Sequence, residues 1–491
     1  MILVNDGFLL IPEIYLLISI LLIIWISVLF TNNNITIGKL LGIQVGIISL
    51  SIIFLSFIMY FNIYNIDYFL FSNNLFSSNL DKTFLYLVLF GIFNIILLSI
   101  NYIKIDTLNV YELFIIILLI LFGFITLLYS NDFLSMYMGI ELQSLGLYIL
   151  ATLKQNSIYS TEAGLKYFIL GALSSCLLIL GISIIYSFTG LFLFNELNLF
   201  LYNTDKFYYI VFIGFLLVLI SLLFKIGSVP FHIWLPDVYE GVATIITAFF
   251  AVVPKIVIFN LLLKVISIIK DYIELEITNI LIISSILSII IGSIGAIYQI
   301  TLKRLLSYSA IAHTGFLLLS NSILSIEGFI SFIFYIIIYI GITLNIFTII
   351  IQIKQKNTGT SIKYINNLTN VYKNNIVLGI SFVLIIFALA GIPPLSGFFS
   401  KLYLFIALLL KGNIFIALIS ILFSVVGSVY YLKIIRNIIF LKNKKKNYLL
   451  YNLTTSGSYV IIYIIIFNIF FMLIGNNLIY LCYNLGLKYL Y

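Results

Sequence analysis

The chain has 491 residues, 63% of them hydrophobic and only 9% charged, with a mean hydropathy of +1.23. No soluble fold carries that balance, so the chain is a polytopic membrane protein. The formal charge of +8 is scattered between apolar runs, which excludes a nucleic-acid-binding surface. Cys176 and Cys482 lie far apart in apolar runs, as expected of buried thiols rather than disulfide partners or metal ligands. Ile, Leu, Phe, Asn, Tyr and Lys dominate; their mostly AT-rich codons point to an AT-biased, organellar genome.

At roughly 20 apolar residues per crossing, the chain reads as an all-α bundle of about fourteen spans. They fall near 8–30, 40–61, 84–103, 111–130, 132–152, 163–189, 208–228, 242–268, 278–299, 302–322, 327–353, 376–410, 413–436 and 457–481. With an even count both termini share a face. The opposite face then collects most loop cations, from Lys39 and Lys104 to Lys303, Arg304, Lys354 and the Lys442–Lys446 cluster. The more positive face is the matrix or cytoplasm, which leaves both termini outside.

Two spans are interrupted. The stretch FKIGSVPFHIWLPDVYEG, Phe224 to Gly241, closes the seventh span with a lysine, a glycine and a proline. GIPPLSGF, Gly391 to Phe398, divides the twelfth, which is too long for one straight crossing. Gly227, Pro230, Gly391, Pro393 and Pro394 break the helices and free backbone groups, tolerable in a membrane only where protein or water satisfies them. Asp237 and Glu240 are expected in the loop after the first break.

Five cations fall inside spans: Lys166, Lys225, Lys255, Lys401 and Lys433. A charge at membrane depth costs about 2.5–3.5 kcal/mol on insertion scales and is a functional candidate by default. Lys166 and Lys433 lie near helix ends, where snorkelling is the alternative; Lys225, Lys255 and Lys401 lie deeper. Glu141 is the only acid placed well inside a span. A static ion pair would balance charges, and three deep lysines against one glutamate do not. His232 in the first break and His313 on helix ten either extend a proton path or pack helices through a hydrogen bond.

GSVPFHIW and GIPPLSGF share the pattern G-x-x-P, an apolar residue, two positions and an aromatic. YMGIE (Tyr137–Glu141) parallels YSAIA (Tyr308–Ala312), and AVVPK (Ala251–Lys255) parallels SVVGS (Ser424–Ser428). Their shared order suggests two five-helix units, helices 4–8 and 9–13. Five is odd, so the second copy is inverted, an architecture of many transporters. The domains are then 1–110, a three-helix segment; 111–270 and 271–440, the two repeats; and 441–491, a basic loop and last helix.

STEAGLKYFILGALSS (Ser160–Ser175), KIGSVPFHIWLPDVYEG (Lys225–Gly241), AVVPK, LKRLLSYSAIAHTGF (Leu302–Phe316) and AGIPPLSGFFSKLYLF (Ala390–Phe405) resemble the subunit 2 family of NADH:quinone oxidoreductase, respiratory complex I. The resemblance covers essentially the whole chain, including three N-terminal spans that animal mitochondrial members lack. It implies a membrane-arm subunit with one proton channel and no redox centre of its own. NADH, FMN, iron–sulfur clusters and ubiquinone would belong to other parts of the complex. It implies partners among the small membrane subunits, an adjacent antiporter-like subunit and lipids. A plastid or bacterial version also fits, while AT bias and the long form favour the mitochondrial inner membrane, where the loop charges put both termini in the intermembrane space. Glu141 matches the family's helix-five glutamate, Lys225 its broken-helix lysine, Lys255 its central lysine and Lys401 the lysine of the second broken helix.

Burial disfavours a charged amine and a nearby carboxylate favours it. Glu141 and Lys225 are thus expected to form a switchable pair, with Lys225 passing its proton to Lys255 and Lys401 serving the second half-channel across ordered water. Two other readings stand beside this one: a subunit of a multi-subunit cation/proton antiporter, and a passive scaffold with frozen lysines.

Overall fold

Each apolar run expected to cross the membrane is helical in the computed structural model, which describes residues 7, 9–30, 35–62, 67–105, 111–154, 156–203, 208–269, 274–355, 362–369, 371–440, 449–451 and 455–490. The basic cluster Lys442–Lys446 lies outside those residues. In chain order the elements are α1 (Ile11–Leu29), α2 (Ile35–Asn62), the strands β1 (Tyr68–Leu70) and β2 (Leu75–Ser77), α3 (Asn79–Ile105), α4 (Glu112–Tyr129) and α5 (Phe133–Thr152). There follow α6 (Ile158–Thr189), α7 (Phe194–Asn203), α8 (Tyr208–Ile226), α9 (Trp234–Gly241), α10 (Thr244–Ile269), α11 (Glu274–Ile297), α12 (Leu302–Ser322) and α13 (Ile326–Gln352). The last are β3 (Ile353–Gln355), α14 (Val371–Asn374), α15 (Ile376–Ala390), α16 (Ser396–Leu410), α17 (Ile414–Ile439), β4 (Leu449–Tyr451), α18 (Thr455–Ile469) and α19 (Phe471–Leu490).

Among the described residues, eleven helices are individually long and apolar enough to cross a membrane, with three shorter apolar helices beside them. The chain is therefore a multi-pass, almost entirely helical membrane protein. α12 falls outside the eleven because it carries Lys303, Arg304, His313 and Asn321 among its apolar residues.

Helix limits follow local chemistry. Asp132 caps α5 by accepting from the Ser135 N–H at 2.9 Å, and Ser325 caps α13 by accepting from Gly328 N–H at 3.2 Å. Asn375 caps α15 through the Leu378 N–H at 3.2 Å. Such caps satisfy one of the donors that a helix start leaves unpaired. α15 ends at Gly391, whose φ of 84° is in the left-handed region open to glycine.

The chain divides into two compact units. The first comprises residues up to Ile226 together with Gly241–Glu274. Its core is α10, whose membrane-spanning window is buried throughout and which packs on α3, α4 and α8. β1 and β2 form an antiparallel hairpin, Tyr68 opposite Ser77. That hairpin is stitched to the α4–α5 turn: Asn131 donates from its side chain to the Asn73 carbonyl at 2.8 Å and from its backbone to the Asn74 carbonyl at 3.0 Å. At the start of α3, Ser78 and Asp81 cap one another. Asp81, wholly buried, then meets α10, where Lys264 Nζ lies 3.0 Å from its Oδ1 and Asn260 donates to the same oxygen at 2.8 Å. Lys264 also donates to the carbonyls of Leu128 and Ser130.

The second unit comprises Gly227–Glu240 and Leu275 onward. Its core is α13, packed by α12, α15, α16, α18 and α19. β3 pairs antiparallel with β4, Ile353 opposite Tyr451. Ser396, at the start of α16, donates to Asn468 of α18.

Several expectations need correction. The all-α fold stands, with the α2–α3 connection adding a short hairpin that the sequence reading did not include. Asp237 and Glu240 lie on the short helix α9 rather than in a loop, and both face Arg304, at 3.4 and 3.5 Å. The last span is two helices, α18 and α19, interrupted at Phe470 and running on to Leu490. Cys482 is buried, but Cys176 is exposed on α6, because the apolar run holding it presents an outer face. Glu141 is not the only buried acid among the described residues, since Glu13, in the first turn of α1, is only 8% exposed.

Candidate functional site

In the first unit, α5, α8 and α10 each supply one of the expected ionisable groups. α8 ends just before Gly227, whose φ of 78° stops the helix. Lys225 therefore falls in its last turn, where the negative end of the helix dipole favours a cation. Glu141 on α5 is within electrostatic reach of Lys225. Among the described residues no ion pair joins the two, and Glu141 Oε1 is buried with no hydrogen-bond partner from the chain. The pair is thus close and open. Lys255, only 4% exposed, follows Pro254 inside α10. Proline has no N–H, so the Phe250 carbonyl one turn earlier loses its helical donor. The central lysine is set beside a polar defect in an otherwise apolar helix.

The second unit builds its site around Lys401 of α16, which is 8% exposed. Its amine turns back across the break and donates to the Ala390 carbonyl at 2.9 Å and to the Leu389 carbonyl at 3.4 Å. These are carbonyls that the end of α15 leaves without helical donors. Gly391 makes the approach possible, because a Cβ there would stand 3.1 Å from both Cδ and Nζ of Lys401. The amine also lies 5.6 Å from the centre of the Phe316 ring, an arrangement that favours the cation.

Lys401 borders a cavity with about 10 Å³ open to the centre of a water-sized sphere, enough for one water molecule. His313, Ser293, Tyr430 and Tyr431 line it as well. His313 Nδ1 is 2.7 Å from the Tyr335 hydroxyl and its Nε2 3.2 Å from the Tyr431 hydroxyl. Imidazole so held joins two phenols, and the cavity joins them to the amine. The two breaks have the same backbone: a left-handed glycine, Gly227 or Gly391, and a cis proline three residues later, Pro230 or Pro394.

A family model described as NADH:quinone oxidoreductase/Mrp antiporter matches residues 130–427, a stretch that holds Glu141, Lys225, Lys255, Lys401 and both breaks. The chain belongs to that family. NADH-quinone oxidoreductase subunit N of Pelagibacter ubique is 37% identical over 454 residues, covering 92% of this chain and 94% of that protein. NADH-ubiquinone oxidoreductase chain 2 of Marchantia polymorpha is 38% identical over 423 residues, 84% of each chain. In fold the chain is similar to a chain of respiratory complex I from Thermus thermophilus, with a TM-score of 0.74 and 23% identity over 93% of this chain and 98% of that one. It is also similar to a chain of the Mrp complex from Dietzia sp., with a TM-score of 0.82 and 17% identity over 98% and 97%.

Not every candidate joins the family's buried groups. Lys166 stands on the exposed side of α6, 2.8 Å from Glu162 one turn earlier. Lys433 is exposed and reaches the Ile297 carbonyl at 3.5 Å. His232 is half-buried in the first break, and its Nδ1 has no hydrogen-bond partner from the chain. Sequence reasoning missed Tyr335, which fixes the His313 ring. Its one signal was the tyrosine pair Tyr335 and Tyr339, one turn apart on α13. Among the described residues no group of three or more His, Cys, Asp or Glu is placed to hold a metal.

Proposed function

We propose that this chain is the antiporter-like, proton-translocating subunit of the membrane arm of NADH:quinone oxidoreductase, driven by quinone reduction elsewhere in the complex. The observation that carries the reading is two buried lysines, Lys255 and Lys401, together with a third, Lys225, that has the Glu141 carboxylate in electrostatic reach. Permanent charges so placed would each carry the full cost of desolvation. Amines that gain and lose a proton as their surroundings change would not.

In the proposed cycle Glu141 draws close to Lys225 and holds its proton there. When the pair opens, the proton leaves through water toward Lys255. In the second unit Lys401 exchanges a proton with water in the cavity it shares with His313, and the Tyr335 and Tyr431 hydroxyls orient that imidazole. The segments 1–110, 111–270, 271–440 and 441–491 serve this reading as an N-terminal buttress, two inverted half-channels and a closing helix. NADH, FMN, iron–sulfur clusters and ubiquinone are bound by other subunits. The neighbours are other membrane-arm subunits and lipid. The setting is the mitochondrial inner membrane, with both termini on the intermembrane-space side.

The relation to curated oxidoreductase subunits over most of both chains favours this reading over a subunit of a multi-subunit cation/proton antiporter. The test is Lys225→Met and Lys255→Met in membranes carrying the assembled complex. A positioned proton-transfer group contributes about 10²–10⁴-fold to a proton-transfer step. Protons moved per NADH oxidised should therefore fall steeply while the complex still assembles. A normal ratio in either variant refutes the relay.

A further inference from the structure

Outside the stretch shared with the family lies a second buried polar group. Glu13, on the first turn of α1, is 8% exposed. One carboxylate oxygen accepts from the Tyr60 hydroxyl at 3.1 Å. The other, Oε2, is buried and accepts no hydrogen bond from the chain. Three further buried hydroxyls, those of Tyr68, Ser77 and Tyr129, are likewise without partners within hydrogen-bond distance. Yet these groups are neighbours. Tyr68 and Tyr129 have ring centres 6.5 Å apart, and the Tyr68 hydroxyl is in electrostatic reach of Glu13 and within loose hydrogen-bonding reach of Ser77 and Tyr129. Tyr129 is in electrostatic reach of both Glu13 and Asp81.

Buried polar atoms are almost always paired, with protein or with ordered water. A carboxylate oxygen without a partner, set beside three hydroxyls that bond one another only loosely, calls for something small and polar between them. A metal cation fits poorly, because Lys82, itself buried, lies 5.0 Å from the Tyr68 ring centre, and Lys264 is paired with Asp81. Water and a proton fit. Burial pushes the Tyr68 hydroxyl up to about 12, so it stays a neutral group able to donate and accept.

We propose that Glu13, with Tyr60, Tyr68, Ser77 and Tyr129, forms a second, hydrated proton-binding site that communicates through Asp81 with Lys264 and Asn260 of α10. Asn260 Oδ1 is buried with no partner from the chain. It lies five residues from Lys255 along the helix, about 7.5 Å of rise. The site so placed is a side branch to the central lysine, entering through the N-terminal helices. Its value as a branch rests on the relay proposed above; its binding of a proton does not.

The experiment is infrared difference spectroscopy of the assembled complex in H2O and D2O, for the natural chain and for Glu13→Gln. The expected result is a deuterium-sensitive carboxyl C=O band that is lost in Glu13→Gln. In Tyr129→Phe, which keeps the ring and removes one hydroxyl, that band shifts, so the test survives if Glu13→Gln fails to assemble. An unchanged spectrum in either variant overturns the site. Protons moved per NADH oxidised are followed in the same membranes beside Lys255→Met. If Lys255→Met pumps normally, the relay fails and the band still decides the site. If Lys255→Met fails to pump while Glu13→Gln pumps at the natural rate, the relay stands and the branch is overturned.

Discussion

His313 is held by two phenols, at 2.7 and 3.2 Å, and the shorter contact is to Tyr335. Tyr335→Phe keeps the ring and removes that partner, leaving a buried ring nitrogen unpaired. The loss should lower stability by about 1–3 kcal/mol. It should also slow proton movement more than it slows NADH oxidation, because the imidazole facing the cavity shared with Lys401 is then held by one phenol fewer. Thermal unfolding of the purified complex and the pumping ratio check the two halves of this prediction. The residues themselves were unequally legible. Lys225, Lys255 and Lys401 stood out because charge is conspicuous in oil. Tyr335 did not, being one of 35 tyrosines, and only its distance to His313 distinguishes it. Glu13 sits near a span end, where a carboxylate reads as interfacial; its burial comes with the packing of α1 on α2 and α4.

At the scale of elements, the second break depends on two glycines for different reasons. Gly391 needs its left-handed backbone and leaves room for the Lys401 amine. Gly397 has ordinary helical conformation, but a Cβ there would collide with the Ala388 carbonyl oxygen. That atom is backbone and cannot swing aside. Gly397→Ala should therefore drive α15 and α16 apart, at a cost of about 1–3 kcal/mol or more for overpacking. Lower yield of assembled complex and weaker resistance to heat are the measurements; unchanged values would mean that α16 shifts freely. The breaks were legible because glycine and proline punctuate helices wherever they occur. Which carbonyls Lys401 would satisfy was not legible, since those of Leu389 and Ala390 come within its reach only once the chain has turned. The hairpin also escaped notice: strands of three residues each leave too short an alternation to separate from a polar loop.

For the whole molecule, the loop cations assign a topology that can be checked directly. The proposed topology puts Lys39, Lys104, Lys154, Lys303 and Lys354 on one face and the two termini on the other. Single cysteines near residues 5 and 485, in a background without Cys176 and Cys482, should react with an impermeant reagent from the intermembrane-space side. One placed in the Lys442–Lys446 loop should react only from the matrix side. Reaction of both groups from one side would overturn the count of spans. Span number and fold class were legible because apolar length is a property of the sequence alone. The hydrogen bonds that tie α1–α3 to the rest were not, since Asp81 and Asn260 are 179 positions apart. That tie has a consequence for chains of this kind without the first three spans. Here α3 shields the flank of α10, with Gly91 close against Val253 and Asp81 neutralising Lys264. A shortened chain that kept Lys264 would bare that flank and leave the cation without its counter-ion.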